Sequence, residues 1–233
     1  MDKLTVVIQA GGESRRMGKP KALVSFCGVP LVCRGLKRLG SIASQLVVTS
    51  NDRKSLDFLC SRVTLDRLEL YSDLFNTRGA LNGMYTALYY ARYPFVAIVA
   101  CDMIFPSAPL LLAERDALIE TGADVAVPLT HHGFEPFHAV YRRESCLPLV
   151  HGALCTGKTR ATSWFDQARI VPFDTNEVLR ADPRGGAFVN VNTPEELERL
   201  ERRVQAGKMT TLVESRPALA TANIGCRCGY QKP

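Results

Sequence analysis

The chain has 233 residues, 46% of them hydrophobic and 22% charged, with a formal net charge of +6. That length suits one domain with a substantial core, and no apolar run approaches the ~20 residues a membrane helix requires. The excess of Lys and Arg forms no continuous basic stripe interleaved with aromatics, so no nucleic-acid partner is expected. The N-terminus enters an apolar strand without the h-region and cleavage site of a secretory signal, which points to a cytoplasmic protein. Cys27, Cys33, Cys60, Cys101, Cys146 and Cys155 fall in apolar segments without a CxxC pair and read as buried small hydrophobes. Cys226 and Cys228 form a CxC, two ligands short of a tetrahedral zinc site, and read as tail thiols.

In chain order, LTVVIQ (4–9) reads as a strand, followed by a glycine-rich loop and a helix near 30–39. QLVVTS (45–50) and LELYSD (68–73) read as further strands. Leu81, Met84, Tyr85, Leu88 and Tyr89 then recur at helical spacing, which predicts a helix over about 80–92. FVAIVACDM is the strongest strand pattern, PLLLAERDALIE is helical, and ADVAVPL and FHAVYR are strands. ESCLPLVHGAL reads as a helix, ARIVPF and GAFVNV as strands, and PEELERLERRVQ as a helix with Pro194 in its first turn and Thr193 as N-cap. Such alternation predicts an α/β sandwich around a mostly parallel sheet, occupying residues 1–205. Residues 206–233 are small, polar and aperiodic, and read as a flexible tail.

In a sheet of this kind ligands bind outside the carboxyl ends of the strands, so candidate residues should stand just after strands. The loop QAGGESRRMGKPK (9–21) does so. Ala10, Gly11 and Gly12 bring backbone N–H groups close to a ligand, and Arg15, Arg16, Lys19 and Lys21 supply cations, a combination suited to a triphosphate or to a solvated basic turn. Asp102 closes the strongest strand, and a magnesium ion is typically held by one or two carboxylates plus substrate phosphates. Asp73 is a carboxylate of the same kind, or a cap. Asn51 follows its strand, or is a turn residue. Asn190 and Asn192 fall two apart on one face of a strand end, where their amides bind a polar ring edge or ribose, or tie down the turn.

GALCTGKT (152–159) matches the Walker A pattern, whereas the first loop has five residues between its glycines instead of four. A working P-loop follows a buried strand, yet Leu147, Val150 and Leu154 before this one recur at helical spacing. It reads as a glycine-containing turn between two helices. His131 and His132 read as exposed loop residues.

Assembled, the motif AGGESRRMGKPKA with VVTSN, YSD, RGALNGM, ACDM and FVNVNTPEEL over roughly residues 4–204 resembles the molybdenum cofactor guanylyltransferase family. The resemblance implies a Rossmann-like three-layer α/β/α sandwich, of the nucleotide-diphospho-sugar-transferase kind. It implies transfer of GMP from Mg-GTP to molybdopterin with release of pyrophosphate, and leaves room for molybdoenzyme or cofactor-delivery partners. Carried over by match, Ala10, Gly11 and Gly12 contact the nucleotide, Lys21 and Arg16 its phosphates, Asn51 and Asp73 the guanosine, Asp102 the Mg2+, and Asn190 with Asn192 the pterin side. Gln9 stands where the family usually has an aliphatic residue, and Ala80 and Asn82 fall where base recognition is expected. Three alternatives stand beside this reading: the same chemistry with CTP or a sugar phosphate, a non-catalytic carrier of the finished cofactor, and an ATPase built on Lys158.

Overall fold

The computed structural model describes residues 3–11, 20–52, 54–59, 68–75, 79–184 and 186–206. Its strands are β1 (Leu4–Gln9), β2 (Ser25–Phe26), β3 (Val29–Pro30), β4 (Gln45–Thr49), β5 (Leu68–Tyr71), β6 (Phe95–Ala100), β7 (Val125–Thr130), β8 (Gly133–Phe134), β9 (His138–Arg142) and β10 (Ile170–Phe173). Its α-helices are α1 (Leu31–Leu39), α2 (Ala80–Tyr90), α3 (Ala108–Thr121), α4 (Arg143–Cys155), α5 (Thr175–Ala181) and α6 (Pro194–Gln205). The main sheet runs β10-β7-β9-β6-β1-β4-β5, with β8 on β7. β1 is parallel to both neighbours, with Gln9 level with Thr49 and Ala100, while β9 is antiparallel to β6 and β7. The carboxyl ends of β1, β4, β5 and β6 therefore share one edge.

Strands covered on both faces need continuous apolar runs, which is how LTVVIQ and FVAIVA read. Leu4, Val6 and Ile8 pack with Val32 and Leu36 of α1 and Leu110 and Leu118 of α3. Val7, Val96 and Ile98 pack on the opposite face with Leu81 and Met84 of α2 and Val150 of α4. Helices thus sandwich the sheet in three layers. A smaller core of Val24, Phe26, Leu31, Ile104, Val191 and Leu200 fastens α6 beside the loop after β6. Among the described residues no helix is long and apolar enough to cross a membrane.

Three local expectations are corrected. GAFVNV forms no strand; Asn190 makes only an isolated antiparallel bridge to Met103. The cause lies in both partners. Val189 N–H turns back to the Gly186 carbonyl, and Met103 N–H to the Ala100 carbonyl, so neither segment extends far enough for a ladder. Pro148, which near the start of ESCLPLVHGAL fits a helix's first turn, lies at the sixth position of α4. Cys27 and Cys155 are exposed, whereas Cys101 and Cys146 are buried as expected. Cys27 sits at positive φ at the tip of the β2–β3 hairpin, where the backbone, not the side chain, is held, by a bond from its N–H to Glu201. Cys60, Cys226 and Cys228 lie outside the described residues, as does nearly all of the tail.

Candidate nucleotidyl-transfer site

Two clusters stand on the shared carboxyl edge, one on each side of β1. The first gathers Lys21, Asp102 and Asn192. Pro20 opens a 3-10 turn over Lys21–Leu23, with its carbonyl accepting the Leu23 N–H at 2.9 Å. That turn carries Lys21 over the end of the sheet, where its Nζ donates to Asp102 Oδ2 at 2.6 Å and to Asn192 Oδ1 at 2.8 Å. Both members of the ion pair keep about a fifth of their side-chain surface exposed, 19% and 21%, so an incoming anion can reach them. Asn192 is held from behind by the start of α6. Thr193 and Glu196 form a capping box, and the Glu196 carboxylate also accepts the Asn192 N–H at 2.7 Å. Asn190, expected on the same face, is exposed and pairs through its backbone with Met103 instead.

The second cluster gathers Gly11, Asn51 and Asp73. A Cβ on Gly11 would lie 3.6 Å from Asp73 Oδ2, so the loop backbone passes close to that carboxylate. Burial pushes the Asp73 carboxyl up from its ordinary range, and a hydrogen bond with the Asn51 side chain opposes the rise. Asp73 is tied to α2 as well, because the next residue, Leu74, donates its N–H to Thr86 Oγ1 at 3.1 Å. Ala10 is buried and donates its N–H to the Thr49 carbonyl at 2.8 Å, which anchors the start of the loop to β4. Gly12 and Arg16 lie outside the described residues, along with the rest of 12–19.

Beside Asp102, burial holds the Cys101 thiol at about 12, with the Asp102 charge adding to the effect. A thiol so held is no nucleophile at neutral pH. The arrangement can bind and orient charge; it offers no covalent relay. As for a metal, no group of three or more His, Cys, Asp or Glu among the described residues could hold one. A single carboxylate next to cations fits a magnesium ion completed by substrate phosphates, and does not fit a protein-enclosed cage.

The Walker-like stretch is accounted for differently. Gly152 lies inside α4, and Gly157, at φ 75°, closes the helix with its N–H on the Leu154 carbonyl. Lys158 Nζ donates to the Ser163 carbonyl at 2.8 Å, so its ammonium serves the following turn.

A family model described as a MobA-like NTP transferase domain matches residues 6–171. The chain belongs to that family. It is a nucleotidyltransferase. It is 32% identical over 211 residues to a molybdenum cofactor guanylyltransferase of Desulfosudis oleivorans, covering 90% of this chain and all of that protein. A protein of Natronomonas pharaonis named "Probable molybdenum cofactor guanylyltransferase" is 33% identical, over 88% of this chain and 100% of its own. Among solved structures, molybdopterin-guanine dinucleotide biosynthesis protein A from Archaeoglobus fulgidus superposes with a TM-score of 0.74 at 26% identity. That match covers 87% of this chain and 99% of that one. The family model spans both clusters except Asn192, which the capping box of α6 delivers from beyond its end.

Proposed function

We propose that this nucleotidyltransferase joins GMP from Mg-GTP to molybdopterin, releasing pyrophosphate. The observation that carries the reading is the Lys21–Asp102–Asn192 cluster on the carboxyl edge, set apart by β1 from the Gly11–Asn51–Asp73 cluster. Phosphates belong with the first cluster, where the lysine is. The base and ribose belong with the second, where amide and carboxylate groups can pair with ring and hydroxyl donors. The names of the relatives supply the acceptor and the base.

In this reading a terminal phosphate oxygen of the pterin attacks the α-phosphorus of GTP. One P–O bond forms, the bond to the β-phosphate breaks, and pyrophosphate leaves. Lys21 exchanges its present partners for phosphate oxygens and stabilises the charge that builds on the leaving group. Asn192 keeps the ammonium aimed, and the Gly11 backbone, anchored to β4 through Ala10, fixes the nucleotide so that the attack is in line. Asp102 would hold Mg2+ together with the nucleotide's phosphates, and the ion would withdraw charge from the oxygens it touches. No protein nucleophile is required.

The test incubates the protein with molybdopterin, Mg2+ and each of GTP, CTP, ATP and UTP, and identifies the nucleotide attached to the pterin by mass. Guanylylated pterin supports the reading. Cytidylylated product, or transfer to a sugar phosphate in preference to the pterin, would replace the substrate assignment while keeping the chemistry. Absence of any Mg2+-dependent transfer would refute it.

A further inference from the structure

Gln9 is the last residue of β1, at the centre of the carboxyl edge. By strand alternation its side chain shares a face with Val7, and so points to the α2 layer. There its carboxamide lies flat on the first turn of α2. A Cβ on Gly83 would meet Gln9 Nε2 at 3.1 Å and both Cδ and Oε1 at 3.4 Å, so this glycine is what admits the amide. Nε2 is shielded from solvent and has no hydrogen-bond partner among the described residues. A buried donor left in this state destabilises a fold, and an aliphatic side chain would fill the same place without that burden. A polar group kept there against stability is explained by a ligand that completes it.

The surroundings specify that ligand. The Asp73 carboxylate stands at the same edge, its Oδ2 3.6 Å from where a Cβ on Gly11, two residues after Gln9, would lie. An acceptor and an orphan donor thus stand near the same end of β1. Guanine presents the complement, a carbonyl oxygen adjoining ring and exocyclic N–H donors. Adenine presents an amino group where that carbonyl would be, and would set donor against donor.

We propose that Gln9 is a base-reading residue, whose Nε2 donates to the 6-keto oxygen of a guanine nucleotide while Asp73 accepts from the base's N–H groups. The assignment rests on the guanylyl-transfer reading above. It places discrimination of the base on β1 itself, between the two clusters.

The experiment measures calorimetric affinity for GTP, 6-thio-GTP, CTP and ATP, all with Mg2+, in the native protein and in Gln9→Leu. Sulfur in place of the 6-oxygen keeps every N–H donor and leaves a weak acceptor. The native protein should bind GTP about 3–10-fold more tightly than 6-thio-GTP, the range of one neutral hydrogen bond. Gln9→Leu should lose that factor for GTP, hold 6-thio-GTP within twofold, and melt about 2–4 °C higher because the orphan donor is gone. Gln9→Met, closer in shape, serves if the leucine variant does not fold. Equal weakening of both nucleotides, or of neither, would overturn the role of Gln9. A native protein that binds GTP no better than CTP or ATP would instead sink the guanylyl reading, whatever the variant does.

Discussion

Lys21 and Lys158 show why one lysine in a glycine-rich stretch differs from another. Both follow a GK pattern loosely or literally, but Lys21 is delivered by a 3-10 turn to a carboxylate at the sheet's edge, while the Lys158 ammonium braces the turn after a helix. Replacing Lys21 by Met should lower nucleotidyl transfer about 10²–10³-fold, the range for removing one preorganised charge-stabilising donor. Lys158→Met should leave transfer within about twofold and reduce stability by about 1 kcal/mol for the lost bond to Ser163. Steady-state rates with saturating GTP and a denaturant melt separate the two effects. Asp102, Asn51 and Asp73 were legible in sequence because each stands just after an apolar run, and Lys21 as one of the cations clustered in the glycine-rich loop. The Asn192 contact was half legible: the strand reading put Asn190 on the same face, but without a ladder the alternation rule does not hold there. Gln9 could be noticed as a polar residue closing an apolar strand. Its unpaired donor and its contact with Gly83 depend on how α2 packs, which no local pattern reports.

Elements that look unrelated in sequence brace each other. The first turn of α2 carries an N–H, that of Leu81, with no partner within its own helix, and the Thr159 carbonyl accepts it at 3.0 Å. Gly79 makes the approach possible, since at φ 147° a Cβ would fall 3.0 Å from Thr159 Cβ and 3.1 Å from its carbonyl oxygen. The Walker-like stretch therefore fixes the turn against which Gln9 is set. Gly79→Ala should cost about 1–3 kcal/mol from the disfavoured backbone conformation alone. It should also raise the KM for GTP more than it lowers kcat, because it moves the base side and spares Lys21 and Asp102. A kcat loss with an unaltered KM would show that the turn does not position the base. The elements themselves were largely legible, since both buried faces of the sheet demand apolar runs and α3 and α6 carry side-chain N-caps. The partner of the GALCTGKT turn was not, because a backbone carbonyl accepts bonds irrespective of side-chain identity.

On the scale of the whole molecule the alternation of strands and helices specified the layers, yet nothing in it revealed the polar pair sealed between sheet and helix. Glu114 falls in the helical pattern PLLLAERDALIE and His138 in the strand pattern FHAVYR, but both have no exposed side-chain surface. His138 Nε2 accepts the Ser107 N–H at 3.0 Å, which braces the far end of the turn that begins at Asp102, and its ring meets Phe188 edge-on at 5.6 Å. Its Nδ1 stands 3.8 Å from Glu114 Oε1. Burial drives both groups to their neutral forms, holding His138 down at about 4 and Glu114 well above the usual carboxylate range. The two act on stability with opposite sign. Below about 6.5 the unfolded chain protonates its histidine while the folded chain does not, so the His138 contribution is lost as pH falls toward about 4, on the order of 3 kcal/mol in all. Above about 4.5 the unfolded chain ionises its glutamate while the folded chain keeps the proton, so stability also declines as pH rises toward the folded value of Glu114. Glu114→Gln has no proton to release. Its unfolding free energy, measured by denaturant melts from pH 5 to pH 8, should gain on that of the native protein by up to about 1.4 kcal/mol per pH unit. The slope is the decisive quantity, because the new amide shifts all points alike. Parallel curves would mean that the folded pair holds no proton in this range, with Glu114 ionised beside a neutral His138.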